Sequence, residues 1–318
     1  MLLHQSKHPA EIQIIHLNDS LNQQRKQLLQ QLGSKTEKAT GFLQKLKSKT
    51  QKKQKSDARI FVIDFKGDVQ ASAVEHLREE ISLILSAADC EKDQVVIRLE
   101  SPGGLVHGYG LAAAQLLRLR DAGLNVTICV DKVAASGGYM MACIAHKIIA
   151  APFAVLGSIG VVAQIPNFNR FLKEHKVDFE QFTAGEYKRT VTMFGENSDE
   201  AKAKFEQELQ QTHQLFKTFV EKYRPQLDIQ QVATGEHWYG QDALDLHLVD
   251  ELATSDAYLL SQIEDHDVYL LHSRKKPTLG EKLGLQAAEI AHHVVPTLLE
   301  RVGDYVQKSY VQRVQMKK

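Results

Sequence analysis

Ser136 is the residue of this chain best placed for nucleophilic chemistry. It stands in the run Asp131-Lys-Val-Ala-Ala-Ser-Gly-Gly-Tyr139, between an apolar β-branched stretch and an apolar stretch of helical spacing. A serine at a strand-to-helix junction has the unpaired N–H groups of the first helical turn beside its hydroxyl, aimed at any negative charge that develops there. Gly137 and Gly138 leave room for a substrate backbone to come close. The same turn is also an ordinary helix cap, and a serine hydroxyl becomes a useful nucleophile only when a base takes its proton.

Three histidines and one lysine compete for that role. His146 follows ten residues on, near the far end of the helix expected from Tyr139, and at ~1.5 Å per residue it lies about 15 Å away, out of reach. His175 precedes Lys176 at a charged helix end and reads as a surface residue. His107 follows the turn Ser101-Pro-Gly-Gly104 and stays a minor alternative. Lys188, in Gly185-Glu-Tyr-Lys-Arg189, comes just after an expected strand over residues 177–182, and functional groups collect at strand ends in parallel sheets. A lysine can accept the proton only when uncharged, so its reference pKa of ~10.4 must fall about three units, roughly 4 kcal/mol, through removal from water. The apolar segment 155–165 offers a dry wall for this, and the hydroxyl of Ser158 offers a hydrogen bond to orient the amine.

The elements that must position these groups alternate along the chain. Residues 60–63, 95–99 and 126–130 are β-branched and apolar and read as buried strands, with amphipathic helices over 71–85 and 108–120 between them. Further on, 167–176 reads as a helix, 177–182 as a strand, 199–223 as a long helix with Phe205, Leu209, Leu215, Phe216 and Val220 on its apolar side, and 268–271 as a strand. The alternation predicts an α/β fold whose parallel strands are joined by right-handed crossovers. The uncharged stretch 148–165 has the length of a membrane span, but Pro152, Gly157, Ser158 and Gly160 cut it into pieces of strand length.

Composition bounds the rest. The chain has 318 residues, 43% of them apolar, and no net charge, enough to bury a core and extensions besides. Residues 1–55 hold a short apolar patch at 12–17 and a basic tract of helical propensity in which Lys45, Lys47, Lys49, Lys52, Lys53 and Lys55 crowd together. No aromatic residue is interleaved with these lysines, so the tract reads as a solvated linker and no nucleic-acid partner is expected. The 3 cysteines, Cys90, Cys129 and Cys143, lack metal-ligand spacing and read as core thiols, with no metal and no cofactor implied. No apolar segment at the amino terminus is long enough for a signal peptide or anchor. A tail from 279 mixes apolar residues and charge at helical spacing. The expected organisation is a helical, basic segment over 1–55, a main domain over 56–273, and a helical extension over 274–318.

Four blocks together resemble the S49 serine peptidases, the signal peptide peptidase A group: Leu99-Glu-Ser-Pro-Gly-Gly104, Val133-Ala-Ala-Ser-Gly-Gly-Tyr139, Gly157-Ser-Ile-Gly-Val161 and Gly185-Glu-Tyr-Lys188. The resemblance covers about residues 59–255, and the 52-residue separation of Ser136 and Lys188 fits the single-repeat members. It implies a crotonase- and Clp-protease-like α/β spiral, Ser136 as nucleophile, Lys188 as general base, Ser158 as the hydroxyl that positions the lysine, and an oxyanion hole from Gly137 with Gly103 or Gly104. It implies a serine endopeptidase acting through an acyl-enzyme on membrane-released or unfolded peptides, assembled as a homo-oligomeric ring or dome at the bacterial inner membrane. Two departures stand out. His247 occupies a position commonly held by glycine, and the amino-terminal anchor of the group is not found in this sequence. The lysine cluster fits a cytoplasmic juxtamembrane segment, which conflicts with a wholly periplasmic placement, and the side of the membrane stays open. A crotonase-type acyl-CoA enzyme, with Gly103 and Gly137 polarising a thioester, and a non-catalytic oligomeric scaffold are the competing readings.

Overall fold

The computed structural model describes residues 11–32, 56–185 and 187–274. In chain order the elements are β1 (Glu11–His16), α1 (Leu17–Gln31), β2 (Arg59–Lys66), α2 (Val74–Ala87), β3 (Gln94–Glu100), α3 (Val106–Asp121), β4 (Asn125–Val130), β5 (Val133–Ala135) and α4 (Gly137–Ala142). They continue with β6 (Lys147–Ala150), β7 (Val155–Gly157), α5 (Asn169–Glu174), α6 (Asp199–Tyr223), α7 (Ile229–Val232), β8 (His237–Tyr239), α8 (Gly240–Asp245), β9 (Glu251–Leu252), α9 (Ser255–Ile263) and β10 (Asp267–Arg274). Of the two units into which the chain divides, the one comprising Ile12–Ser273 holds all that follows.

Seven strands form one sheet in the order β1-β10-β2-β3-β4-β6-β9. Its central pairings are parallel, with Val268 opposite Ile60, Ile60 opposite Gln94, Val95 opposite Val126 and Ile128 opposite Ile148. Ile60, Phe61, Val62 and Ile63 are all buried, the pattern of a strand covered on both faces. Phe61, Ile63, Val95, Ile97 and Ile128 join the larger core with Leu77, Ile81 and Ile84 of α2 and Leu116 of α3. Ile60, Val62, Val96, Cys129 and Val268 form a second cluster with Leu259 of α9. Each such fully buried side chain contributes about 1.5–3 kcal/mol of transfer free energy.

A small sheet, β5-β7-β8, carries the functional turn. β5 pairs parallel to β7 with Ala135 opposite Gly157, β7 pairs antiparallel to β8, and a bridge from Ser101 to Ala134 ties the end of β3 to β5. The carboxyl end of the large sheet and the start of α4 are thereby held side by side. Behind α4, the Tyr139 hydroxyl donates to the Leu248 carbonyl at 2.9 Å, and buried Arg224 at the end of α6 donates to both oxygens of Asp250 at 2.8 Å.

Several sequence expectations change. The amino-terminal region contributes a strand as well as a helix: Ile12 packs on the larger core, Leu17 on the smaller, and buried Asn18 donates to the carbonyls of Ile263 and His266 and accepts from Val268 N–H. The expected strand at 177–182 does not form. Its residues are exposed, Phe182 at 89%, and among the described residues no strand pairs with them. The helix expected from Tyr139 ends at Ala142. The lysine cluster and the tail beyond 274 lie outside the described residues.

Candidate active site

β5 ends at Ala135, and the next residue adopts φ +52° and ψ −117° before α4 begins. Such a backbone is uncommon for a residue with a Cβ and persists only where its surroundings over-determine it. Here they do: Ser136 N–H donates to Gly157 carbonyl at 2.8 Å and its own carbonyl accepts from Met140 N–H at 2.9 Å. Gly137, the first helical residue, has no intrahelical acceptor for its N–H. A Cβ on Gly137 would collide with the ring of Tyr109, so close packing of α3 against α4 demands glycine there.

The turn after β3 closes over the same point. Gly103 has φ +88°, and a Cβ on it would come within 2.7 Å of Gly137 N and 2.8 Å of Ser136 Cβ. Its N–H donates to Ser101 Oγ at 3.2 Å. Ser101 Oγ is 2.6 Å from the Tyr109 hydroxyl, and that hydroxyl donates to the Asp68 carbonyl at 2.8 Å, so the Ser101 O–H donates to Tyr109 in turn. Burial raises the Tyr109 phenol above its ordinary pKa and keeps it a donor. Gly104 N–H has no partner among the described residues.

Beyond Ser136 lies a cavity of about 780 Å³. Gly103, Gly104, Ser136, Gly137 and Ser158 share its wall with Val106, Met140, Val161, Val162, Leu215, Phe216 and Phe219, and among the described residues no Asp, Glu, Lys or Arg lines it. Ser158 follows β7 with φ +51°, and its N–H donates to Glu236 carbonyl at 2.6 Å. Segment 155–165 supplies apolar wall, as its composition predicts. The structure thus unites five of the six residues singled out from sequence.

Lys188 is the sixth, and it does not line the cavity. It is exposed, on the stretch between β7 and α6 that carries α5 and is fastened largely to itself: Asn167 donates to the carbonyls of Thr192 and Gly195, Phe168 N–H to Met193, and Asn169 to Phe194. The same segment exposes Phe168, Phe171, Phe179 and Phe194.

The histidines sort as their positions imply. His146 Nδ1 accepts from Val126 N–H at 3.1 Å, His175 Nδ1 lies 2.8 Å from its own helix at Phe171 O, and His107 is exposed outside the cavity wall. A fourth, His213, was not legible from sequence: it stands on α6 and lines the cavity, Nε2 lying 3.1 Å from Ile159 O. Its only sequence signal is helical spacing with Phe216 and Val220, which marks a core-facing side and says nothing of the carbonyl it meets. Cys129 and Cys143 are buried free thiols; burial pushes the Cys129 pKa up to about 12 and raises Cys143 as well, which leaves both unreactive. Among the described residues no group of three or more His, Cys, Asp or Glu is arranged to hold a metal ion. His247 has φ +61° after α8, the left-handed conformation that glycine adopts without steric cost and that a histidine holds against its Cβ.

The model for peptidase family S49 matches residues 118–268, and that for the family's N-terminal region matches residues 1–116. "Probable protease SohB" of Haemophilus influenzae is 57% identical over 238 residues, 75% of this chain and 67% of that protein. The protein of the same name from Buchnera aphidicola subsp. Schlechtendalia chinensis is 50% identical over 273 residues, 81% of this chain and 89% of that protein. Among solved structures, the 1510-N membrane-bound stomatin-specific protease superposes with a TM-score of 0.45 at 13% identity, over 68% of this chain and 98% of that one. The family match and these relatives support a serine-type peptidase, built on the parallel α/β architecture described above. The chain belongs to peptidase family S49.

Proposed function

We propose that this peptidase is an endopeptidase working through a Ser136–Lys188 dyad. The observation that carries the reading is a left-handed serine at a helix start, opening on a cavity whose wall, among the described residues, holds no Asp, Glu, Lys or Arg. A lysine entering such a space loses hydration, which is what lowers its pKa and frees its lone pair. Neutral Lys188 takes the proton of Ser136 as Oγ attacks the scissile carbonyl carbon. Gly137 N–H, with an amide of the Gly103–Gly104 turn, receives the oxyanion, each donor contributing roughly 3 kcal/mol. The lysine ammonium then protonates the departing amine, leaving an ester on Ser136 that a water, deprotonated by the same lysine, hydrolyses. Ser158 Oγ accepts a hydrogen bond from the lysine and orients it. Valine, methionine and phenylalanine in the cavity wall favour small or apolar substrate side chains, as in membrane-released or unfolded peptides.

Lys188 reaches the cavity as copies assemble, its exposed aromatic segment lying against a neighbour in a homo-oligomeric ring or dome. The bacterial inner membrane is the proposed location, on the family resemblance. The test is labelling by an active-site-directed fluorophosphonate: wild type reacts, while Ser136→Ala and Lys188→Ala do not. A mixture of the two variants regains labelling if the lysine is contributed between copies, and stays unlabelled if each chain completes its own site. An unlabelled wild type, under conditions where another lysine-dyad peptidase reacts, defeats the dyad. Binding of an acyl-CoA would then favour the crotonase-type enzyme, and its absence the scaffold.

A further inference from the structure

We infer that His213 is the positioning residue for Ser158, and through it for the proposed catalytic lysine; the inference rests on the dyad reading above. Among the described residues, three hydrogen bonds hold positions 158–160. Two are backbone bonds, Ser158 N–H to Glu236 carbonyl at 2.6 Å and Gly160 N–H to Ser158 carbonyl at 2.9 Å, the second closing a three-residue turn about Ile159. The third is from His213 Nε2 to the Ile159 carbonyl at 3.1 Å. Among the described residues it is the one side-chain bond on residues 158–160.

The chemistry of that bond fixes the imidazole. A carbonyl oxygen only accepts, so Nε2 carries the proton in the neutral ring as well as in the charged one. With its proton committed there, Nε2 cannot also receive one from Ser136, so His213 is a donor to the frame and not a rival base at that nitrogen. Its mounting is rigid. α6 runs 25 residues from a cap in which Ser198 accepts from Ala201 N–H to the buried Arg224, and Phe216 and Val220 anchor the helix in the core. Ser158 needs such support because its φ of +51° is one that a residue with a Cβ leaves unless held. Releasing the Ile159 carbonyl lets the turn relax and swings the Ser158 hydroxyl off the line on which it orients the amine.

The experiment is a double-mutant cycle on peptide hydrolysis by the full chain. His213→Leu, which removes the donor, lowers kcat roughly ten- to hundred-fold, the scale expected of a misplacement near 1 Å, with KM changed less than about two-fold. His213→Gln, which restores an N–H at the same reach, recovers most of the rate. In a Ser158→Ala background the His213→Leu change costs little more, since the two act as one unit. Full additivity of the two losses, an unchanged kcat in His213→Leu, or a loss confined to KM overturns the inference while leaving the dyad intact. Nitrogen chemical shifts of the imidazole give a readout free of activity: a neutral ring protonated at Nδ1 also overturns it. A wild type that neither labels nor cleaves defeats the dyad reading and, with it, the role assigned to Ser158.

Discussion

Two recesses open near the carboxyl ends of β3 and β4, and they treat their polar groups in opposite ways. The recess of about 330 Å³ beside α9 is lined by Asp64, Lys66, Arg98, Glu100, Asp131, Lys132 and Asp256. Most of that charge is answered from within. Arg98 donates to both oxygens of Asp64 at 2.5 and 2.8 Å, Lys132 pairs with Glu100 at 3.1 Å, and Asp131 accepts from Ser255 N–H at 2.7 Å and from its hydroxyl. Among the described residues the Ser136 cavity has no Asp, Glu, Lys or Arg in its wall and Gly104 N–H lacks a partner, while Gly137 N–H has no acceptor in its helix. One recess spends its polar groups on the fold. The other leaves backbone donors beside the strained Ser136 backbone, where the proposed mechanism uses them. They lie close along the chain, Pro102 of one wall following two positions after Glu100 of the other, and Ser136 four positions after Lys132.

That contrast makes predictions of descending size. Gly103→Ala places a methyl between the turn and Gly137 N at a backbone angle hostile to alanine, so fluorophosphonate labelling falls by about a hundred-fold or more, the effect of losing an oxyanion donor. Measuring labelling beside thermal melting separates this from unfolding; retention of labelling breaks the assignment of this wall to the oxyanion. Buried Glu80 sharpens the comparison from the other side, as a core carboxylate paired with no cation among the described residues. It accepts from Ser273 N–H at 2.8 Å, and burial raises its pKa to about 7. Because the folded value lies above the unfolded one, the native state holds the extra proton between about pH 4.5 and 7, and stability is lost as pH rises through that window, by about 3 kcal/mol in all. Urea unfolding at pH 5 and pH 8 therefore shows Glu80→Gln flattening the decline seen in wild type. An unchanged slope refutes it. Asp64→Asn, in the charged recess, costs about 1 kcal/mol by weakening a half-exposed pair and leaves labelling at the wild-type rate. A labelling defect in that variant erases the distinction between the two recesses.

Local patterns carried much of this arrangement. The strands about residues 60–63, 95–99 and 126–130 were legible because β-branched residues in unbroken apolar runs suit strands buried on both faces. α6 was legible at both ends, from Ser198, Asp199 and Glu200 at its start and Pro225 beyond its finish. The turn at Ser136 was legible because packing and dihedral demands there can be met only by glycine and small residues, and those demands are written in adjacent positions. The strand assigned to 177–182 failed on the same ground: alternation of Val177 and Phe179 favours extension, but a strand needs a neighbour to bond.

The sequence by itself determined the central strands, the long helix α6, the glycine-rich turn at Ser136 and the family. The tertiary structure alone decided that Gly103 abuts Gly137, that His213 meets the Ile159 carbonyl, that Asn18 fastens the amino-terminal strand and helix to the far end of the chain, and that Lys188 stands exposed on its own segment. The physical reason is range. Propensity and periodicity act over a few residues, whereas these contacts join positions 34 to 250 apart in the chain, and only the packed core brings such positions together.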